Sequence, residues 1–586
     1  MSKSKILQPL RFLLLIEILI LVSIAIVNSR DYQDSWTLEG LELPFVVFMV
    51  TNTIYFFFEK NSKWLVLFAI LSRVTIALLP NLKYEWFLGT AIDQHRHFRA
   101  SHFICDNGYV EPRQAYAETP IIHVLIASFS KISAIPILNA FKILPVISWS
   151  IFPAMIYSLI KRTFDQYKKS SLMKYGLLIS SVPIEASLSY VVTGSFFGTL
   201  WAFLALSVFL ISFDERRREY IVLAILFSVA LVFSHFVSST LMMVAFMIIL
   251  LLVVLRIYKF KSMAPTFLVF FVLLELSWIT AQLGYATGPA GELELTLRNF
   301  WRGIMGMEPE IWSPTGIRFR LFDLNLLDTI RVMTVFHGGD AIILLFSLLG
   351  IVTVWKTSRL KSAKFLSYYI LLLWMFVPFQ LLMTGGSAGL VQYFRVISHT
   401  LVICPIIIAF FMYYVDGKFR RGKPVIFALF LVIIILSTIQ MYGYQPLLPP
   451  SSTISESLPS DEPVVFLTWI GANTIYQRSM IRHVESYAPE EMRVAADRMT
   501  QNQIVGLTDY RFSDEQLVNY SPLWNTTIER RRDYDLFLIH FPGKAGGLEE
   551  RAESRTKQLI LGAILYSNVL YTNGESYTLI YPRVMK

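Results

Sequence analysis

Residues 90–102, TAIDQHRHFRASH, set Asp93, His95, His97 and His102 among Arg96 and Arg99, directly after an apolar segment. A carboxylate beside a bound hydroxyl or amide can serve as a general base. Imidazoles can bind phosphate as cations, relay protons, or hold a metal as neutral ligands. In an extended chain Asp93, His95 and His97 would share one face; in a helix Asp93 and His97 would be neighbours one turn apart. Four of the nine histidines, His95, His97, His102 and His123, fall in the single loop 81–136. A loop that is merely wet does not require that density. D-x-H-x-H is not a specific metal signature, so base, phosphate-binding and metal-ligand roles all stay open here.

Other polar residues interrupt apolar runs, where charge is costly and is commonly functional. Glu185 in SSVPIEASLSYVVTGSFFGT stands near a span end, and His235 in FSHFVSST near another. Each is read either as a satisfied helix-end residue or as part of a site. Arg395 in GLVQYFRVISHT, with His399 one helical turn later, opens a late span. A guanidinium grips phosphate oxygens through two parallel hydrogen bonds, so this pair suits a phosphate, and Arg96 and Arg99 would add to the same basic patch. Glu275 in LVLLELSWIT falls in mid-span and must pair with another helix or line a cavity.

The elements that position these residues follow from composition. The chain has 586 residues, 55% hydrophobic and 16% charged, and its apolar residues come in blocks, as a polytopic membrane protein requires. About thirteen spans are expected, at 11–28, 41–58, 64–80, 137–160, 175–192, 195–213, 220–237, 239–256, 264–285, 340–356, 365–384, 396–414 and 424–442. The stretch 120–135 holds His123, several serines and Lys131, and reads as an interfacial helix. With the N-terminus inside, the inner loops EKNSK, KRTFDQYKKS, RIYKFKS, KTSRLKSAK and DGKFRRGK are basic, and DERRRE carries three arginines. That pattern follows the positive-inside rule. It puts 81–136, 286–339 and everything past 443 outside. The N-terminal apolar run lacks a small-residue cleavage site and is expected to be a retained helix. The expectation is a multi-pass protein of the cell membrane with a cytoplasmic N-terminus. The net charge of +10 is thereby spent on inner loops rather than on nucleic acid. Two cysteines, Cys105 and Cys404, lie far apart and found no disulfide framework. No Walker A loop, GxGxxG or Ser-His-Asp motif is seen.

Residues 1–444 therefore read as a transmembrane domain, 445–462 as a Pro/Ser-rich linker, and 463–586 as an extracytoplasmic α/β domain. In the last, EPVVFLTWIGANT has helical spacing, MRVAAD, QIVGL and YDLFLIH read as buried strands, and NVLYTNGESYTLIYP reads as a hairpin turning at Asn573-Gly574. Sequons at Asn519 and Asn525 fit an external location.

This layout resembles the GT-C superfamily of integral-membrane glycosyltransferases, archaeal-like members in particular. The residues that carry the resemblance are AIDQHRH in the first large outer loop, the amphipathic ETPIIHVLIASFSKI, the span NAFKILPVISWSIFPAMIYSLIKR, the helix pair around Glu185, and the Arg-bearing QYFRVISHTLVICPII. The W-W-D-Y-G signature of oligosaccharyltransferase catalytic subunits is absent, and the second acidic motif is a lone Glu185.

What the resemblance implies is transfer of a sugar from a polyprenyl-phosphate-linked donor to a lipid, glycan or protein acceptor on the outer face, with inversion. Asp93 would be the general base. Arg395 and His399 would bind the donor phosphate. His95, His97 and Glu185 would shape the acceptor side or hold a divalent cation (Mg or Mn), with His123 and His235 as further candidates. The alternatives are a transporter or flippase for lipid-linked sugars, whose site would lie near the midplane, and a non-catalytic receptor.

Overall fold

The computed structural model describes residues 3–28, 30–32, 41–86, 92–110, 119–163, 169–182, 194–215, 218–255, 264–281, 326–357, 361–383, 399–419 and 421–442, together with five strands between 494 and 580. The chain is an α-helical bundle followed by a strand-bearing C-terminal part. Its opening elements are α1 (Lys3–Val27), β1 (Arg30–Tyr32), α2 (Glu42–Phe58), α3 (Ser62–Lys83), β2 (Tyr84–Trp86), α4 (Ile92–Asn107), α5 (Ile121–Ser133), α6 (Ile137–Ser150), α7 (Phe152–Thr163) and α8 (Lys169–Ser180). Then come α9 (Gly194–Glu215), α10 (Arg218–Val232), α11 (Phe236–Val254), α12 (Ala264–Ala281), α13 (Leu326–Thr357), α14 (Lys361–Met383), α15 (Cys404–Lys418) and α16 (Gly422–Tyr442).

Among the described residues, Leu7–Val27, Ser62–Leu82, Ile137–Arg162, Gly338–Thr357 and Gly422–Ile439 are long and apolar enough to cross a membrane, and the spans predicted at 41–58, 195–213, 220–237, 239–256, 264–285 and 365–384 fall on shorter apolar helices. Of the span predicted at 175–192, α8 covers the part up to Ser180, and residues 183–192 lie outside the described residues. Phe12, Leu19, Val254 and Ile435 stay exposed on helix faces that hydrocarbon would cover. Two predicted spans are interrupted. The span at 137–160 divides at Ile151, because Pro153 cannot donate the next intrahelical hydrogen bond. The span at 396–414 is helical at 399–401, turns at 402–403, and restarts at Cys404 with Pro405 in the first turn. The outer segment 286–339 is not all loop, since its residues from Leu326 onward are helical and continuous with α13.

Polar groups inside the bundle find partners on neighbouring helices. Asn52 Nδ2 donates to Ser72 Oγ at 3.0 Å and to Ser181 Oγ at 3.4 Å, tying α2, α3 and the end of α8. The guanidinium of Arg73, 2% exposed, donates to the Ser180 carbonyl. It also lies 6.0 Å from the Trp149 ring centroid and 5.3 Å from that of Phe152, on either side of the α6–α7 break. Arg73 thus satisfies a carbonyl that the end of α8 leaves open.

β1 and β2 pair in parallel, Arg30 with Tyr84 and Tyr32 with Trp86, so the chain leaving α3 is fixed before it enters the acidic loop. In the C-terminal part β3 (Val494–Ala496), β4 (Leu517–Asn519), β5 (Leu536–His540), β6 (Asn568–Thr572) and β7 (Ser576–Ile580) form a mixed sheet in the order β4-β3-β5-β7-β6. β4, β3 and β5 run parallel. β7 is antiparallel to β5 and β6, and the register shifts between Val569 and Tyr571. The strands expected in MRVAAD and YDLFLIH and the hairpin are present. QIVGL and EPVVFLTWIGANT lie outside the described residues. β4, carrying Asn519, had too few residues to show a period of two in the sequence.

α13 and α15 approach closely at Gly350, where an added Cβ would overlap the backbone carbonyl of Ile407. Gly350→Leu is expected to destabilise the bundle by about 1–3 kcal/mol, read as a lower thermal midpoint in detergent. Gly417→Ala, in α15 at a position with nothing within 4 Å, should not lower that midpoint.

Candidate active site

α4 decides between the two geometries open for the acidic motif. Residues 92–107 are helical, so His97 follows Asp93 by one turn, while His95 is about 200° from Asp93 around the axis. Asp93, His95 and His97 therefore do not share a face, as they would in a strand. The side chains of Asp93, His95, Arg96 and Arg99 lie outside the described residues, as do Glu185 and Arg395 altogether.

α5 is amphipathic, with Ile122, His123, Ile126, Ala127 and Ser130 buried on one face. It packs along α4 and α6. At the α4–α5 seam His97 Nδ1 and His123 Nε2 are 2.8 Å apart, and the two rings stack with centroids 5.1 Å apart. Both are almost fully buried, at 2% and 1%. A bond between two imidazole nitrogens needs one proton, so the facing nitrogens cannot both be protonated. Burial first, and then the charge of His97 beside it, hold the His123 imidazole well below the usual histidine range. The Ser101 hydroxyl donates to the His97 carbonyl at 2.8 Å. One turn past Phe98, His102 Nδ1 meets Asp106 at 2.9 Å on the more exposed side.

Three further elements gather at this end of the bundle. The Ile121 N–H donates to the Phe233 carbonyl at 3.4 Å, hooking the start of α5 to the α10–α11 turn. His235 is the N-cap of α11: its Nδ1 accepts from the Ser238 N–H at 3.2 Å and lies 2.8 Å from the Ser238 hydroxyl. His235 therefore fills the helix-end role that the sequence left open. Gly198, near the start of α9, lies so close to His235 that a Cβ there would strike the His235 side chain. α9 is the helix that the Glu185 segment leads into. The structure thus brings together the elements that bear Asp93, His97, His123 and His235, with the helix that follows Glu185.

His399 is held elsewhere. Its Nε2 is 2.9 Å from the Tyr369 hydroxyl of α14, and the Tyr369 ring packs near Phe246 of α11. Phe246 is about 16 Å along α11 from His235, so His399 meets the bundle well below the His97–His123 seam. Glu275 is fully buried, and its Oε1 accepts from Ser239 Oγ at 2.8 Å and Thr240 Oγ1 at 3.1 Å in the first turn of α11. Of its two readings, pairing with another helix is the one observed.

No family model matches the sequence, and no curated protein matches it significantly. Solved structures do match. An archaeal oligosaccharyltransferase, AglB from Archaeoglobus fulgidus, in complex with an inhibitory peptide and a dolichol-phosphate, aligns with 89% of this chain and 74% of its own, at 12% identity and TM-score 0.52. ArnT from Cupriavidus metallidurans, bound to undecaprenyl phosphate, aligns with 88% of this chain and 97% of its own, at 8% identity and TM-score 0.50. Both are polyprenyl-phosphate-dependent GT-C glycosyltransferases.

This chain has the GT-C fold.

A structure of the Archaeoglobus oligosaccharyltransferase in complex with Zn and sulfate also matches, with 88% of this chain and 73% of its own aligned, at 12% identity and TM-score 0.51. In this chain no three His, Cys, Asp or Glu side chains converge as metal ligands among the described residues. The facing nitrogens of His97 and His123 bind each other. Of the expected ligands, His97 has its Nδ1 engaged by His123, and the His95 side chain and Glu185 lie outside the described residues. Sequence reading passed over Arg73, although an arginine inside AILSRVTIALL is a visible signal. It also passed over Tyr369, which a tyrosine in an apolar run does not announce.

Two expectations follow. The His123 imidazole is depressed in the folded chain, so on acidification the unfolded chain takes up its proton first. The stability it contributes is complete above 6.5, the ordinary histidine value, and is lost as pH falls below it. The thermal midpoint should drop between about pH 7.5 and about pH 5, and less steeply in His123→Gln; equal slopes would contradict this. His235→Ala should cost about 1 kcal/mol of stability through loss of the cap, measured by chemical denaturation in detergent.

Proposed function

We propose that the chain is an inverting membrane glycosyltransferase that moves a sugar from a polyprenyl-phosphate-linked donor to an acceptor at the outer face. The observation that carries this reading is the shared fold with two structures that hold polyprenyl phosphates, dolichol-phosphate in one and undecaprenyl phosphate in the other. The helix-end cluster of α4, α5, α9 and the α10–α11 turn adds support, because it gathers the elements of the motif residues at one place.

In this mechanism the acceptor O–H or N–H gives its proton to the Asp93 carboxylate as its lone pair attacks the anomeric carbon. The bond from that carbon to the phosphate oxygen breaks on the opposite face, and the electron pair leaves with the polyprenyl phosphate. Arg395 and His399 take up the charge that develops there, in a setting poor in water where such contacts act most strongly. The donor brings its own leaving group, so no soluble nucleotide sugar is required. His97, clamped to His123, orients the helix that carries Asp93. A divalent cation, if bound through His95 or Glu185, would supply electrostatic stabilisation. The acceptor is a lipid, a glycan or a protein, and the C-terminal sheet domain contributes to its recognition. The cytoplasmic N-terminus and external C-terminal domain belong to the same proposal.

A transporter would need a polar path past the midplane. Glu275, the carboxylate best placed to line one, is fully buried and held by Ser239 and Thr240, which disfavours that reading.

Purified protein given a labelled polyprenyl-phosphate sugar should release lipid phosphate and glycosylate an acceptor from its native membranes. Asp93→Asn should lower the rate by about 100-fold or more, and Arg395→Ala by about 100- to 1,000-fold. An Asp93→Asn protein that is folded and fully active would remove Asp93 as base. Activity that survives chelation would remove the cation.

A further inference from the structure

The hydrogen bond between α14 and the segment before α15 fixes the state of His399. Tyr369 is fully buried and His399 is 1% exposed. Among the described residues the Tyr369 hydroxyl meets one polar partner, His399 Nε2, at 2.9 Å. A buried O–H without an acceptor is costly, whereas a phenol oxygen can leave its lone pairs empty at less cost. The phenol therefore donates and Nε2 accepts. The imidazole proton is thereby assigned to Nδ1, because the bond made by one ring nitrogen sets the tautomer of the other. Nδ1 is itself buried and has no hydrogen-bond partner among the described residues. The result is an N–H donor, held rigidly inside the bundle, that lacks an acceptor among the described residues.

From this geometry we propose that Tyr369 is a positioning residue for anion recognition: it locks His399 so that Nδ1–H is presented to a phosphate oxygen of the lipid-linked donor or of the released polyprenyl phosphate. The proposal rests on the transferase reading, in which His399 and Arg395, four residues earlier in the chain, bind the phosphate. It adds which nitrogen of His399 does so and which residue enforces the choice. A phosphate oxygen suits the site because it accepts, carries charge, and would relieve the buried donor. The ring of Tyr369 is also fixed by Phe246, with centroids 6.1 Å apart, so Phe at position 369 keeps the packing and removes only the hydroxyl.

The test uses the full chain in lipid nanodiscs and undecaprenyl phosphate as the probe, with thermal unfolding as a check of fold. Tyr369→Phe should weaken binding about tenfold, the size expected for loss of one hydrogen bond to a charged group. His399→Asn places an amide N–H near the position of Nδ1 and should bind within about twofold of wild type, while His399→Gln, which reaches the Nε2 position, should lose about tenfold. In the His399→Asn background, adding Tyr369→Phe should change binding by less than about twofold, because the tyrosine acts through the imidazole. Unchanged binding by Tyr369→Phe overturns the proposal, as does an equal loss in both backgrounds. Should Tyr369→Phe fail to fold, the Asn and Gln variants decide, and equal binding by the two overturns it. A wild-type chain that binds undecaprenyl phosphate, beside a Tyr369→Phe chain that binds it equally, sinks this inference alone. A wild-type chain that neither binds undecaprenyl phosphate nor transfers sugar sinks the transferase reading with it.

Discussion

Hydrocarbon offers no hydrogen bonds, so each polar group inside this bundle must be answered by the protein or by something it binds. Most of the buried polar groups are answered. Arg73 takes the Ser180 carbonyl, Asn52 takes Ser72 and Ser181, Thr51 donates to Glu17 at 2.9 Å, and Glu275 receives two hydroxyls. These bonds join helices that are distant in sequence and fix where α8 ends and where α6 gives way to α7. The same constraint makes an unanswered group informative. Among the described residues His399 Nδ1 is one of several buried polar atoms without a hydrogen-bond partner, with Glu275 Oε2, Asn52 Oδ1 and Trp374 Nε1; what sets it apart is the Tyr369 bond that fixes its ring.

Two levels of the bundle emerge from these contacts. At one end α4 and α5 are clamped by the His97–His123 bond, and α5 is hooked to the turn where His235 caps α11. Deeper along α11, Phe246 meets Tyr369, which holds His399. α11 connects the two levels as a rigid strut.

Much of this was legible in the chain itself. Long apolar blocks declare the membrane class, because the driving force for helix formation in lipid is local to each segment. The amphipathic α5 was visible from the spacing of Ile122, His123 and Ile126, and the hairpin of β6 and β7 from alternation around Asn573-Gly574. The crowding of histidines in the first large loop marked the region of α4 and α5. Other features were hidden. The interruptions at Ile151 and at 402–403 depend on prolines whose neighbours could equally have bent a continuous helix. The helical stretch from Leu326 into α13 looked like loop because polar residues there break the apolar run.

The sequence by itself determined the class of the protein, the approximate location of most of its apolar helices and the residue types available for chemistry, since these follow from hydrophobicity and short-range periodicity. Tertiary structure alone decided which polar groups meet. The His97–His123 bond spans 26 positions of sequence, the Tyr369–His399 bond 30, and the Arg73–Ser180 contact 107. No local pattern encodes such distances. They are settled when the helices pack, because only then does each buried donor either find an acceptor or remain without one.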